Sequence, residues 1–357
     1  MQYTTFCAAN SGKGFISFFD TLLDEKNKKI YYIKGGPGCG KSTLMRKIAK
    51  NAKDAELILC SGDPQSLDGV LLAKENAVII DATSPHSHEP KFPGIGGEII
   101  DLGICWEPEK LNKKKIISLH EQKSMLYKAC YHFLSSAKTL HEGITLPLTY
   151  KINRQKLLAT ADKILKQNAL WDANGAATAP SRRFLSGISP DGRITHSDTF
   201  LKLGKNIILL EDRWFMGTLL LQYLDRALNE NGIHHINGYH PLFGQPILQH
   251  MMIPAASLSI VSKDGLFPLN IPDESVIKTI HMQSFLDKEY LQENKNKLTF
   301  LKRMERELLN EAEEKLKEAR DLHLKIEQEY AMGCNFSAAD EIKEKLLNNL
   351  FRNLDFL

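Results

Sequence analysis

Ile30-Tyr-Tyr-Ile-Lys-Gly35-Gly-Pro-Gly-Cys-Gly40-Lys-Ser-Thr-Leu44 is the stretch whose reading decides the fold. An apolar run of β type leads into Gly35-x-x-x-x-Gly40-Lys41-Ser42, and a helical pattern follows. Strand, glycine-rich loop and helix in that order spell a phosphate-binding loop. Gly35, Gly36, Gly38 and Gly40, with Pro37 and Cys39 between them, let the backbone curl until consecutive N–H groups point into one concavity. Lys41 adds a cation for the β- and γ-phosphates of a nucleotide. The Ser42 hydroxyl is placed to ligate Mg²⁺, and the helix from Thr43 turns its positive end toward the anion.

The bulk numbers fit such a protein. The chain has 357 residues, 43% hydrophobic and 25% charged, which is enough for two or three domains with proper cores. A formal net charge of +3 leaves no electrostatic footprint for nucleic acid, and the runs Lys28-Lys29 and Lys113-Lys114-Lys115 read as solvated surface. No apolar stretch reaches the roughly 18 residues of a membrane span, and the opening residues lack the apolar core of a signal peptide. Cys7, Cys39, Cys60, Cys105, Cys130 and Cys334 are scattered without a CxxC pair, as in reduced cytoplasmic proteins. The expected location is the cytoplasm.

From the N-terminus to Cys105, apolar runs at Ile30–Ile33, Leu57–Cys60, Ala77–Ile80 and Ile99–Leu102 alternate with helical segments expected to begin near Ser42 and Leu67. Alternation of this kind predicts a parallel sheet with helices on its faces, a three-layer αβα core. A long helical stretch over Leu111–His141 and a second over Gln155–Gln167 form an arm, and Asn168–Ser189 reads as a connection. The order then recurs. Phe184–Gly192 parallels Phe6–Gly14, strands are expected at Ile207–Leu210, His235–Ile236, Leu258–Val261 and Val276–Ile280, and a helical run covers Leu286–Ala331. An offset of 177 lays Gly40 on Gly217, and an offset of 182 lays His141 on His323. The expectation is a tandem duplication: a core over residues 1–106, an arm over 107–178, a second core over 179–285 and a second arm over 286–357.

In the second core the phosphate loop is degenerate. The matching segment is Asp212-Arg-Trp-Phe-Met-Gly-Thr-Leu219, where the offset puts Thr218 on the lysine and Leu219 on the serine. A carboxylate at Asp212 would repel phosphates. One working site per chain follows.

Other pieces of that site are legible. Asn76-Ala-Val-Ile-Ile-Asp81 is an apolar strand ending in an acid, so Asp81 joins Ser42 as a candidate for the Mg²⁺ shell. In the segment Ser61-Gly-Asp63-Pro-Gln-Ser-Leu-Asp68-Gly69-Val70, Asp63 is a candidate to orient water or contact Mg²⁺, and Asp68 reads as a turn acid. Thr83 and Ser84 are candidate γ-phosphate sensors and His86 a candidate to position water; His86 and His88 lack a third ligand for a metal of their own. Residues 1–178 hold only Arg46 and Arg154, so the arginine lid of a kinase is hard to find, and Arg182, Arg183 and Arg213 are the remaining finger candidates.

With GGPGCGKSTL at 35–44, SGDPQSLDGV at 61–70, IIDATSPH at 79–86 and the arm histidines His141 and His323, the chain resembles a bacterial family of uncharacterised ATP-binding proteins built from two P-loop halves in tandem. The resemblance covers essentially the whole chain and implies ATP binding with hydrolysis. It departs at 212–219, where the family carries a second phosphate loop. The expected activity is therefore Mg²⁺-dependent ATP hydrolysis at one N-terminal site. Two alternatives stand beside it: a small-molecule or nucleotide kinase, and an ATP-gated switch whose amphipathic arms engage a protein partner or a second copy.

Overall fold

The computed structural model describes residues 1–24, 27–84, 87–170, 177 and 179–351. Strands β1 (Gln2–Phe6), β2 (Ala8–Ser11), β3 (Gly14–Ser17) and β4 (Lys29–Lys34) precede helix α1 (Lys41–Asn51). Then come β5 (Ala55–Leu59), β6 (Leu67–Leu72), β7 (Ala77–Asp81), β8 (Gly97–Asp101), α2 (Lys113–Thr149) and α3 (Arg154–Gln167). The series resumes with β9 (Ser181–Arg183), β10 (Ser186–Ser189), β11 (Gly192–Thr195), α4 (Ser197–Leu203), β12 (Asn206–Glu211) and α5 (Gly217–Glu230). It closes with β13 (Ile236–Tyr239), β14 (Leu248–Ile253), β15 (Leu258–Lys263), β16 (Val276–His281), α6 (Lys288–Glu293), α7 (Lys295–Ala331) and α8 (Phe336–Phe351). The chain forms two compact units. Unit one is Met1–Thr4, Phe19–Lys128 and Lys315–Leu357; unit two is Thr5–Phe18 and Ala129–Glu314.

Unit one is built on a six-stranded sheet in the order β1-β5-β6-β7-β4-β8. β4 lies at its parallel centre, between β7 and β8. Its KIYYIK sequence is apolar on both faces, as a strand covered on both sides requires. The rest of the sheet departs from the all-parallel expectation. Leu67, expected to open a helix, opens β6 instead, antiparallel to both β5 and β7. Five of the six β6 residues are buried, so the segment has no polar face to give a helix, and Gly69 lets the strand lie close: a Cβ there would stand 3.2 Å from the Ile79 carbonyl oxygen. The fold is thus mixed α/β. On one side α1 sets Leu44, Met45 and Ile48 against the sheet residues Ile33, Val70 and Ile79, and Leu346, Leu347 and Leu350 of α8 complete the same cluster. Each fully buried leucine contributes about 2 kcal/mol.

Unit two repeats the pattern strand for strand, with the order β16-β12-β15-β14-β13-β9. β12 is parallel to β15 and β16, and β14 is antiparallel to its neighbours. The hairpins match as well. β2–β3 closes with Ser11 Oγ donating to the Gly14 carbonyl at 2.6 Å, and β10–β11 with Ser189 Oγ donating to that of Gly192 at 2.9 Å. Gly14 and Gly192 have φ of +90° and +91°, the left-handed region that favours glycine.

Helices α2 and α7 are both 37 residues long, and both their ends stand at the same offset of 182. Buried positions in α2 (Cys130, Leu134, Ala137, His141, Ile144, Leu148) step by four and three residues, as do Glu305, Leu309, Ala312, Leu316 and Ala319 of α7. That is the spacing of a helix–helix seam. No helix among the described residues is long and apolar enough to cross a membrane.

Candidate nucleotide site

The loop between β4 and α1 lies at the carboxyl end of the parallel strands, where open sheets leave their crevice. Gly38 and Gly40 hold φ of +77° and +82°, and the second hands the chain into α1. Lys41 Nζ donates to the carbonyl oxygens of Gly35 at 2.7 Å and Gly36 at 2.9 Å, and lies 3.5 Å from Asp81 Oδ2. Ser42 Oγ accepts the N–H of Leu67 at 2.9 Å. Cys39 Sγ donates to the Gly36 carbonyl, and burial pushes its thiol up. Three of the expected residues, Lys41, Ser42 and Asp81, are therefore brought together.

Asp81 ends β7, and its Oδ1 accepts the N–H of Thr83 at 2.9 Å, while Thr83 Oγ1 donates to the Gly35 carbonyl at 2.9 Å. Burial raises the Asp81 carboxyl, Lys41 opposes the rise, and Asp68 adds to it. Asp68 sits opposite Asp81, one residue beyond the Gly69–Ile80 pair of β6 and β7. The acid read from sequence as a mere turn residue is thus buried beside the site. Asp63 is the one held in a turn, its Oδ2 accepting from Ser66 Oγ at 2.6 Å and its Oδ1 from the Gln65 N–H at 3.2 Å. His86 lies outside the described residues, and His88 stands 3.7 Å from Asp20.

Two carboxylates and a hydroxyl at one strand edge are the hard-oxygen donors that Mg²⁺ takes alongside waters and phosphates. The charge of Asp68 adds to the rise of the Asp81 carboxyl, a repulsion that a divalent cation would relieve. Among the described residues no cluster of three or more His, Cys, Asp or Glu is arranged to hold a metal ion.

The arms supply what the sequence of the core lacks. Glu327 of α7 brings its carboxylate beside Gly38, whose amide helps to hold the carboxyl down. Its carboxyl is pushed up by burial and by Asp63 and pulled down by Lys41. The α7 backbone is as near: a Cβ on Gly38 would stand 3.1 Å from the Glu327 carbonyl oxygen. His323, one turn earlier, is lowered to about 4 by burial and by Lys123; neutral, its Nδ1 accepts from Lys123 Nζ at 3.3 Å. From α8, Lys343 Nζ comes within 2.8 Å of where a Cβ on Gly40 would sit. Lysines 123 and 343, not arginines, are the additional cations here. Arg46 is turned to the Gln65 carbonyl, and Arg182, Arg183 and Arg213 belong to unit two.

The same place in unit two is filled differently. Asp212 Oδ1 accepts the N–H of Met216 and Oδ2 that of Gly217, both at 2.7 Å, and Ser262 Oγ donates to Oδ2 at 3.2 Å. Burial pushes this carboxyl up to about 7. Thr218 Oγ1 accepts the Leu248 N–H at 3.1 Å, as Ser42 Oγ accepts that of Leu67. Thr218 rather than Leu219 therefore stands at the serine's place and Gly217 at the lysine's. The sequence offset misses by one because α5 begins a residue early relative to it. The carboxylate that was expected to repel phosphate takes the loop amides for itself.

No family model, curated protein or solved structure matches this chain.

Unit two carries buried titratable groups with a consequence for stability. His240 and His250 are lowered to about 3 and His196 to about 4, all by burial. Folded, they stay neutral; unfolded, they take up protons near the ordinary value of about 6.5, so acidification favours unfolding. Asp212, raised to about 7, works the other way, since the folded form gains its proton first as pH falls. The His141–Glu305 contact of 2.6 Å pairs a ring lowered by burial with a carboxyl raised by it, and the two cancel. Three histidines against one carboxyl leave a net loss of about 3 kcal/mol between pH 7 and pH 5. Urea midpoints from circular dichroism should fall accordingly, and an equal or higher midpoint at pH 5 refutes the account.

Proposed function

We propose that this chain is a Mg²⁺-dependent ATP-binding protein that hydrolyses ATP at one site, in unit one. The observation that carries the reading is the convergence of Lys41, Ser42 and Asp81 at the carboxyl edge of β4 and β7, around a complete glycine loop. In this reading the amides of residues 36–42 and the Lys41 ammonium bind the phosphates. Ser42 and Asp81, with Asp68, hold the ion, whose charge neutralises the phosphoryl oxygens when it is bound. Asp63 or Glu327 orients the attacking water, and Thr83 stands where the terminal phosphate would end. A tandem duplication followed by decay of the second loop is supported by the shared strand order, the matched hairpins and the constant offset of the long helices.

The test is steady-state ATP hydrolysis with Mg²⁺ and no acceptor, on the native chain and on Asp81→Asn. Loss of an ion-positioning carboxylate should lower turnover about a hundred-fold or more. Equal rates for the two would overturn the assignment. A second reading, a nucleotide-gated switch, is favoured by one contact, the close approach of the α7 backbone at Glu327 to Gly38. It predicts ATP binding with a change of conformation or oligomeric state and no turnover.

A further inference from the structure

Outside the site above, unit two carries a cleft of about 810 Å³ at the carboxyl edge of its own parallel strands. Glu211, Lys263 and His281 end β12, β15 and β16 in register and make its floor. Thr299, Lys302, Arg303 and Arg306 of α7, spaced by three, one and three residues, present one helix face to it, and Arg213 enters from the loop after β12. The volume is that of a small-molecule site.

Its acids are mostly spoken for. Asp212 is held by the Met216 and Gly217 amides, and Asp264 by those of Leu266 and Phe267 and by Gln249 Nε2. Glu211 pairs with His281 at 2.5 Å, which leaves Glu307 as the one lining acid without such a partner among the contacts of the described residues. The cations are not spoken for. Arg213, Lys263, Arg303 and Arg306 are in no ion pair among the described residues; Arg213 lies over the Trp214 ring at 5.0 Å and Arg303 over that of Phe300 at 5.7 Å. Lys302 donates to the Arg213 carbonyl at 2.7 Å, and its ammonium is lowered by burial, a shift that Glu305 and Asp264 oppose and Arg213 and Arg306 reinforce. Like charges crowded at the mouth of a cleft are stabilised by an anion that enters it.

We propose that this cleft binds a phosphorylated small molecule carrying two or more negative charges. The arginine forks of α7 and Arg213 do the recognising, in place of loop amides, which Asp212 has closed. The site is independent of nucleotide binding in unit one.

The experiment is calorimetric titration of the full chain with inorganic tripolyphosphate, without Mg²⁺, in the Lys41→Ala background, so that the loop of unit one contributes nothing. One binding event is expected. Replacing both Arg303→Gln and Arg306→Gln, each exposed, should weaken it at least tenfold. Replacing Lys113→Gln and Lys114→Gln, the same loss of charge elsewhere, should leave it unchanged. Absence of binding, equal affinity in the arginine variant, or an equal loss in the lysine control each overturns the proposal. None of these results bears on whether ATP binds at Lys41.

Discussion

Lys41→Ala should weaken ATP binding about a hundred-fold, taking it out of calorimetric range at micromolar protein, while the fold stays intact. The Lys41 ammonium is side-on to the loop, held by two carbonyls of that same loop and 3.5 Å from Asp81. None of these contacts ties the loop to another element except the last, so deletion should change stability by no more than about 1 kcal/mol. Phosphate contact is another matter. A charge-assisted hydrogen bond in a partly buried site is worth about 3 kcal/mol, near a hundred-fold in affinity. Unchanged ATP affinity with an unchanged melting curve would end the nucleotide assignment. Loss of both binding and fold would be answered by Lys41→Met, which keeps the aliphatic stem.

Glu327→Ala should act in the opposite direction. The α7 backbone crowds Gly38 at Glu327, and the Glu327 carboxylate is drawn to the Gly38 amide and to Lys41, groups an incoming phosphate needs. Two anions cannot share them, and removing the protein's own should tighten ATP binding by about tenfold, the worth of one charged hydrogen bond. Calorimetry on the native chain and the variant decides it. Affinity unchanged with turnover lost would instead make Glu327 the residue that orients water. Weaker binding would mean that α7 embraces the nucleotide rather than competing with it.

What could be read from sequence here was what is local. The loop from Gly35 to Ser42 is one uninterrupted segment whose glycines, lysine and serine work at fixed spacing, and Asp81 announces itself as the acid at the end of an apolar strand. The helical arms were legible as long stretches almost free of glycine and proline and in the offset of 182 that α2 and α7 share, but α2 does not end near His141 and runs on through Gly143 and Pro147 to Thr149. Asp68 was undervalued because its place depends on β6 pairing antiparallel with β7, and Leu67-Asp-Gly-Val-Leu-Leu carries neither alternation nor a helical stripe. β14 escaped for the same reason, since all six residues of Leu248–Ile253 are buried. Glu327 and Lys343 meet the loop from nearly 300 residues away, and no pattern within either arm records that meeting. The cationic cleft was hidden too: Lys302, Arg303 and Arg306 read as a solvated helix face until the ends of β12, β15 and β16 are set before them.

The packing of α8 bears on how this protein comes into being. Leu346, Leu347 and Leu350 share one buried cluster with Leu44, Met45 and Ile48, so a core begun at α1 is completed by a helix synthesised long after it. At roughly 5–20 residues per second, the interval between the two is on the order of tens of seconds. For that time the apolar side of α1 has no lid, and the nascent chain is a natural client for a holding chaperone. A half-made product would carry the glycine loop without Glu327 and Lys343, so the candidate site of a growing chain stays incomplete until α7 and α8 have been made.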